Sequence, residues 1–178
     1  MKHIISILLA LLPISVAAQT DNKKLVDSLK FITEVPYINN CYNPIFWKIV
    51  SKGKEVVPAL IDKMTDTQRL KEVYVPMFGG EYTVADVAYQ AMGEIIKGIP
   101  TFELLGVPFS EDCGYCSYWF HVRESKKNRK KFQQAVRQWY ELNKDNLMWV
   151  ESTMSLTSDC FSPVGGHFEI KKIETSTP

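Results

Sequence analysis

The chain predicts an all-α fold with a minor β element, and three observations lead there. Five segments carry apolar residues at helical spacing between recognisable start and stop residues. Strand-like alternation is confined to two short stretches, residues 73–78 and the tail. The composition, 46% hydrophobic and 23% charged in 178 residues, is that of a chain that buries a core.

The first twenty residues, MKHIISILLALLPISVAAQT, read as a secretory signal: Lys2, an apolar run from Ile4 to Ile14, then Val16 and Ala18 at the minus-three and minus-one positions. Cleavage is expected before Gln19. The run is too short to span a bilayer, which takes about twenty residues, and no second run of that length follows. Cys41 lies too far on to be a lipid-attachment cysteine. The expectation is an exported protein, periplasmic or extracellular, with no membrane span. Removing residues 1–18 leaves one domain, 19–178, of 160 residues with 20 basic and 20 acidic side chains. That neutral balance argues against nucleic acid or an anionic membrane as partner, since both require an excess of Lys and Arg.

Each helix has a local rationale. In TDNKKLVDSLKFITEV, Leu25, Val26, Leu29 and Ile32 share one face, Thr20 or Asp21 serves as N-cap, and Pro36 bounds the end. In NPIFWKIV, Asn43 caps, Pro44 fits the first helical position and Gly53 supplies the stop. In EVVPALIDKMTD, Val57, Leu60, Ile61 and Met64 form the apolar face, with Pro58 in the first turn. In YTVADVAYQAMGEIIKGIP, Thr83 and Asp86 make a capping-box pair, and Gly98 with Pro100 ends the helix. Its inner face is Val84, Val87, Ala88, Ala91, Met92 and Ile95. The segment ESKKNRKKFQQAVRQWYELNKDN is capped by Ser125 and turns Phe132, Ala135, Val136, Trp139 and Leu142 to one side. Its basic run, Lys126, Lys127, Arg129, Lys130 and Lys131, reads as a solvated face continuing through Gln134 and Arg137.

VVPALIDKMTD followed by VADVAYQAMGEII resembles the two helices of a HEAT repeat, with Val84, Ala88, Ala91, Met92, Gly93 and Ile95 in the register of the family's second helix. The family's Arg is Ala85 here, and its tight inter-helix turn has grown into residues 67–82. The resemblance implies a short α–α superhelix, a HEAT-like hairpin plus flanking helices that cover its apolar face. The whole chain is also similar to a group of secreted bacterial proteins of unknown function that share this pair, the CGYCSYW segment and the NRKKFQQAVRQWY helix.

The long connection, TQRLKEVYVPMFGGEY, reads as a strand-like loop with a glycine turn that packs over the hairpin edge. Tyr74, Phe78 and Tyr82 are its candidate binding side chains. The tail HFEIKKIE alternates as a short strand expected to pair with residues 73–78, and Trp149 is expected to pack on the last long helix.

Four cysteines allow three connectivities in an oxidising compartment. A local Cys113–Cys116 bridge is the favoured one, leaving Cys41 and Cys160 to pair or stay free. The spacing CGYC also resembles the active-site tetrapeptide of periplasmic disulfide isomerases, which makes thiol–disulfide exchange at Cys113 the enzyme alternative. Its setting opposes that chemistry: no buried strand precedes the motif, and Glu111 and Asp112 disfavour a thiolate. Zinc held by Cys113, Cys116, Cys160 and His167 or His121 lacks two close ligand pairs. Ser51, Ser110 and Ser162 sit in no nucleophile motif, Glu103, Glu111 and Asp112 lack a spacing that sets two carboxylates across a cleft, and no cofactor motif is present. No residue is assigned to catalysis or to a metal, and no cofactor is called for. The expected role is non-enzymatic: a surface for a protein, peptide or glycan.

Overall fold

The centre of the molecule is a helix whose sequence is apolar on nearly every side. In the computed structural model, which describes residues 19–34, 43–71, 73, 82–112, 114–154 and 162–171, this helix is α4, Val84–Ile95. Val87, Ala88, Ala91 and Met92 have no exposed surface, and even Asp86, Gln90 and Glu94 are buried. Such a helix needs neighbours all round, and the rest of the chain supplies them.

Before it come α1 (residues 19–27), running into a 3-10 turn at Ser28–Phe31, then α2 (Pro44–Val50) and α3 (Val57–Lys63). After it come α5 (Thr101–Leu105), α6 (Cys116–Glu124) and α7 (Lys126–Asn143). Strands β1 (Leu147–Glu151) and β2 (Gly166–Ile170) then pair antiparallel, with Trp149 opposite Phe168 and Val150 opposite His167. The fold is therefore all-α with a minor β-hairpin, and α3 packs on α4 while α6 and α7 pack on each other. No helix among the described residues is long and apolar enough to cross a membrane.

The local signals act as expected at several helix starts. Asn43 accepts a hydrogen bond from the Phe46 N–H at 3.1 Å, and Ser125 accepts one from Asn128 at 3.1 Å. Asp86 reaches back to accept from the Thr83 N–H at 3.0 Å and from its hydroxyl at 2.7 Å. Residue 19 is already helical, so neither Thr20 nor Asp21 is the cap of α1.

The structure departs from these expectations in the tail and along α7. The tail strand pairs with residues 147–151, which follow α7 directly and fold back as a hairpin, whereas its expected partner, residues 73–78, lies outside the described residues except for Val73. Trp149 lies edge-on to Phe168 across this hairpin, ring centroids 5.2 Å apart. Gly166 is the residue that permits this, since a Cβ there would collide with the Trp149 ring and the Val150 carbonyl. Leu142 is 71% exposed, because the buried line of α7 runs Arg129, Phe132, Val136, Tyr140, and Leu142 lies off that line.

Arg129 departs from expectation as well. It was assigned to the solvated basic face, yet it is 5% exposed and donates to the fully buried Asp86 carboxylate at 2.9 Å. Asp86 thus caps α4 and anchors α7 with two different oxygens. Elsewhere α7 is fastened to α3 by Arg137 on Asp62 at 2.7 Å and by Gln133 on the Ile61 carbonyl at 2.7 Å.

Candidate functional site

Two surfaces are built well enough to be sites. The first is an open groove of about 390 Å³ between α1 and α3, lined by Lys23, Val26, Asp27, Ala59, Asp62 and Lys63 among others. Its charges are satisfied from within: Lys63 meets Asp27 at 2.7 Å and Asp66 at 3.2 Å, while Asp62 meets Arg137 and, at 3.9 Å, Lys23. Burial works to lower the Lys63 pKa, but the bonds to Asp27 and Asp66 outweigh it and hold the ammonium above its ordinary value. A groove whose ions already pair has little field left for a ligand.

The second surface is the cysteine segment, where α5 meets α6. From Lys97 to Arg123 the chain has no Lys or Arg, but it has Glu103, Glu111, Asp112 and six aromatic residues. Aromatic rings run through it in a connected series. Tyr82 meets Trp119 at 5.3 Å between centroids, Trp119 meets Tyr118 at 5.0 Å, and Tyr118 stacks on Tyr89 at 5.3 Å. These belong to the core. Tyr118 then meets Tyr115 at 6.3 Å, Tyr115 meets Phe102 at 5.4 Å, and Phe102 meets Phe109 at 5.0 Å. This outer half reaches solvent, with Phe109 52% and Tyr115 50% exposed.

A tight turn holds the two outer rings. The Gly114 N–H donates to the Ser110 carbonyl at 2.8 Å, and Gly114 takes φ of 59°, a region costly for residues with a Cβ. Glu111 and Asp112 stand within that turn, between Phe109 before it and Tyr115 after it, and all four are exposed. Glu103 is exposed on α5, next to Phe102. Among the described residues, none of these three carboxylates makes an ion pair or a side-chain hydrogen bond.

Of the residues singled out in the sequence, Cys116 is the first residue of α6 and is disulfide-bonded. Cys113, Cys41 and Cys160 lie outside the described residues, as do Tyr74 and Phe78. Tyr82 is no surface residue: it is 1% exposed, and its hydroxyl donates to Gln90 Oε1 at 2.9 Å. The ends of its loop are tied, with the Leu70 N–H on the Tyr82 carbonyl and the Val84 N–H on the Gln68 carbonyl, which draws the ring inward. Tyr118 and Trp119 are buried in the core, whereas Phe120 is 70% exposed.

His121 is half-buried on α6, and its carbonyl accepts from Asn128 at 3.0 Å. His167 is buried on β2, with Nε2 2.8 Å from Glu169 and Nδ1 without a partner. That contact, aided by Lys97, holds the Glu169 carboxyl below its ordinary value. The structure brings no serine to either histidine among the contacts of the described residues, and Ser51 is occupied by the Lys48 carbonyl. The residues the sequence reading overlooked are Phe102, Phe109 and Tyr115; the absence of basic residues from 98 to 122 was the signal available.

No family model, no curated protein and no solved structure matches the chain.

Proposed function

We propose that this chain is an exported, non-catalytic binding module whose contact surface is the aromatic and acidic corner at the cysteine segment. The observation that supports this is the pair of outward rings, Phe109 and Tyr115, both seated on Phe102 at 5.0 and 5.4 Å. A ring already fixed by its neighbours loses little freedom when a partner covers it, so its buried area contributes nearly in full. Tyrosine and phenylalanine are also the side chains that interface cores favour. A clip at Cys113–Cys116 would stiffen the same turn.

Two comparisons test the role. Immobilised protein should retain a partner from the exported fraction, the Phe109→Ala/Tyr115→Ala variant should lose it, and Leu142→Ala should keep it. Equal retention by all three contradicts the assignment of the surface. Thiol–disulfide exchange is the weaker reading, because α6 opens at Cys116, so Cys113 is not its first residue. Insulin reduction that depends on Cys113, lost in Cys113→Ala, would establish it.

A further inference from the structure

Resting on that reading, we infer that the corner takes a Lys- or Arg-bearing extended segment of a partner protein, its cation held by Glu111 and Asp112 and its stem laid on Phe109 and Tyr115.

The charge pattern favours this occupant. Asp27, Asp62, Asp66, Asp86, Glu141 and Glu169 all have basic partners within the chain. Glu103, Glu111 and Asp112 have none among the described residues, as is also true of Asp21, Glu55 and Glu151; what sets the three apart is that no Lys or Arg lies between Lys97 and Arg123. In a mature chain of zero formal charge this leaves a local negative field, which attracts cations and repels anionic ligands.

The rings narrow the choice further. Carboxylates alone would accept any cation, but aromatic faces beside them favour an organic one. Lysine and arginine carry an apolar stem that lies on a ring and a head attracted to its face. Glu111 and Asp112 follow Phe109 and precede Tyr115 in the chain, at the turn closed by the Gly114 to Ser110 hydrogen bond at 2.8 Å. A neutral glycan would use the rings and leave the carboxylates unused. A second copy could offer exposed lysines such as Lys126, Lys127, Lys130 and Lys131.

The test is a fluorescence-anisotropy titration of the exported, oxidised protein with labelled twelve-residue peptides: Lys–Ser repeats, Glu–Ser repeats and Gly–Ser repeats. The Lys–Ser peptide should bind, and its affinity should fall by about tenfold between about 50 and 300 mM salt. The variant Glu103→Gln/Glu111→Gln/Asp112→Asn should weaken it by about tenfold or more with an unchanged urea midpoint. No binding of the Lys–Ser peptide, equal binding of all three peptides, or unchanged affinity in the variant overturns the inference. Binding of a chito-oligosaccharide, unaffected by that variant but lost in Phe109→Ala/Tyr115→Ala, would leave the binding surface standing and overturn its cationic occupant. Self-association in sedimentation, abolished by the carboxylate variant, would assign the surface to a second copy and overturn the peptide partner.

Discussion

The α4–α7 junction and the cysteine segment use the same materials, carboxylates and aromatic rings, in opposite states. At the junction Asp86 is buried, hydrogen-bonded to Thr83 and paired with Arg129, and Tyr82 and Phe132 are buried nearby in the same core. At the cysteine segment Glu111, Asp112, Phe109 and Tyr115 face solvent, and the carboxylates have no partner among the described residues. A buried carboxylate must be paired for the chain to fold, whereas an exposed, unpaired one costs nothing in water and remains available. The first region holds the fold together, and the second is the surface proposed for recognition.

The sharpest way to break the contrast is Arg129→Ala. It leaves Asp86 charged and buried without its partner, so stability should fall by about 3–5 kcal/mol in urea unfolding. Asp86→Asn/Arg129→Met should lose less than Arg129→Ala, since no unpaired charge remains and Asn still accepts from Thr83. Next, Tyr82→Ala should cost about 3–5 kcal/mol through lost packing, while Tyr115→Ala should stay within about 1 kcal/mol. Similar losses from the two tyrosines would abolish the distinction between core and surface rings.

Smaller again is the effect of the disulfide. If Cys116 closes only the four-residue loop from Cys113, reduction should cost about 2 kcal/mol; bridges to Cys160 or Cys41 would cost about 4 or more. Urea unfolding with and without reductant, beside a non-reducing peptide map, separates these. The smallest effects are electrostatic. Glu169 has a depressed pKa, so its contribution is present above the ordinary value of 4.5 and is lost as pH falls through the folded one. Glu169→Gln should therefore flatten the acid side of the stability profile by less than about 1 kcal/mol. Lys63, held above its ordinary 10.5, has the opposite sign: its contribution is full below that value and disappears as pH rises through the folded one. Lys63→Met should remove that alkaline loss.

What could be read from the sequence was local. Asn43, Thr83 with Asp86, and Ser125 are capping signals that act within three residues, and each sits at the helix start they marked. The inner face of α4 was visible in its spacing, but the burial of Asp86, Gln90 and Glu94 on its other sides was not. Arg129 was hidden, because its burial depends on Asp86, 43 positions away, and nothing in NRKKF distinguishes it from the lysines beside it. The pairing of β2 with β1 was hidden for a similar reason, as strand pairing is a tertiary choice between segments of comparable alternation. Tyr82 looked like loop chemistry until its neighbours Leu70 and Gln90 drew it inward. The site was half legible: the acidic, aromatic run stands in the sequence, but which rings turn outward is set by the packing of Phe102 and Tyr118.

The most direct test places a photo-crosslinking benzoyl-phenylalanine at position 115 and, as a control, at position 142, and illuminates cells that express the protein. Both sites are exposed, and only the first lies in the corner. A discrete adduct at 115 that is absent at 142 is the predicted result. No adduct at 115, or the same adducts at both positions, would contradict the claim that the cysteine segment is the recognition surface.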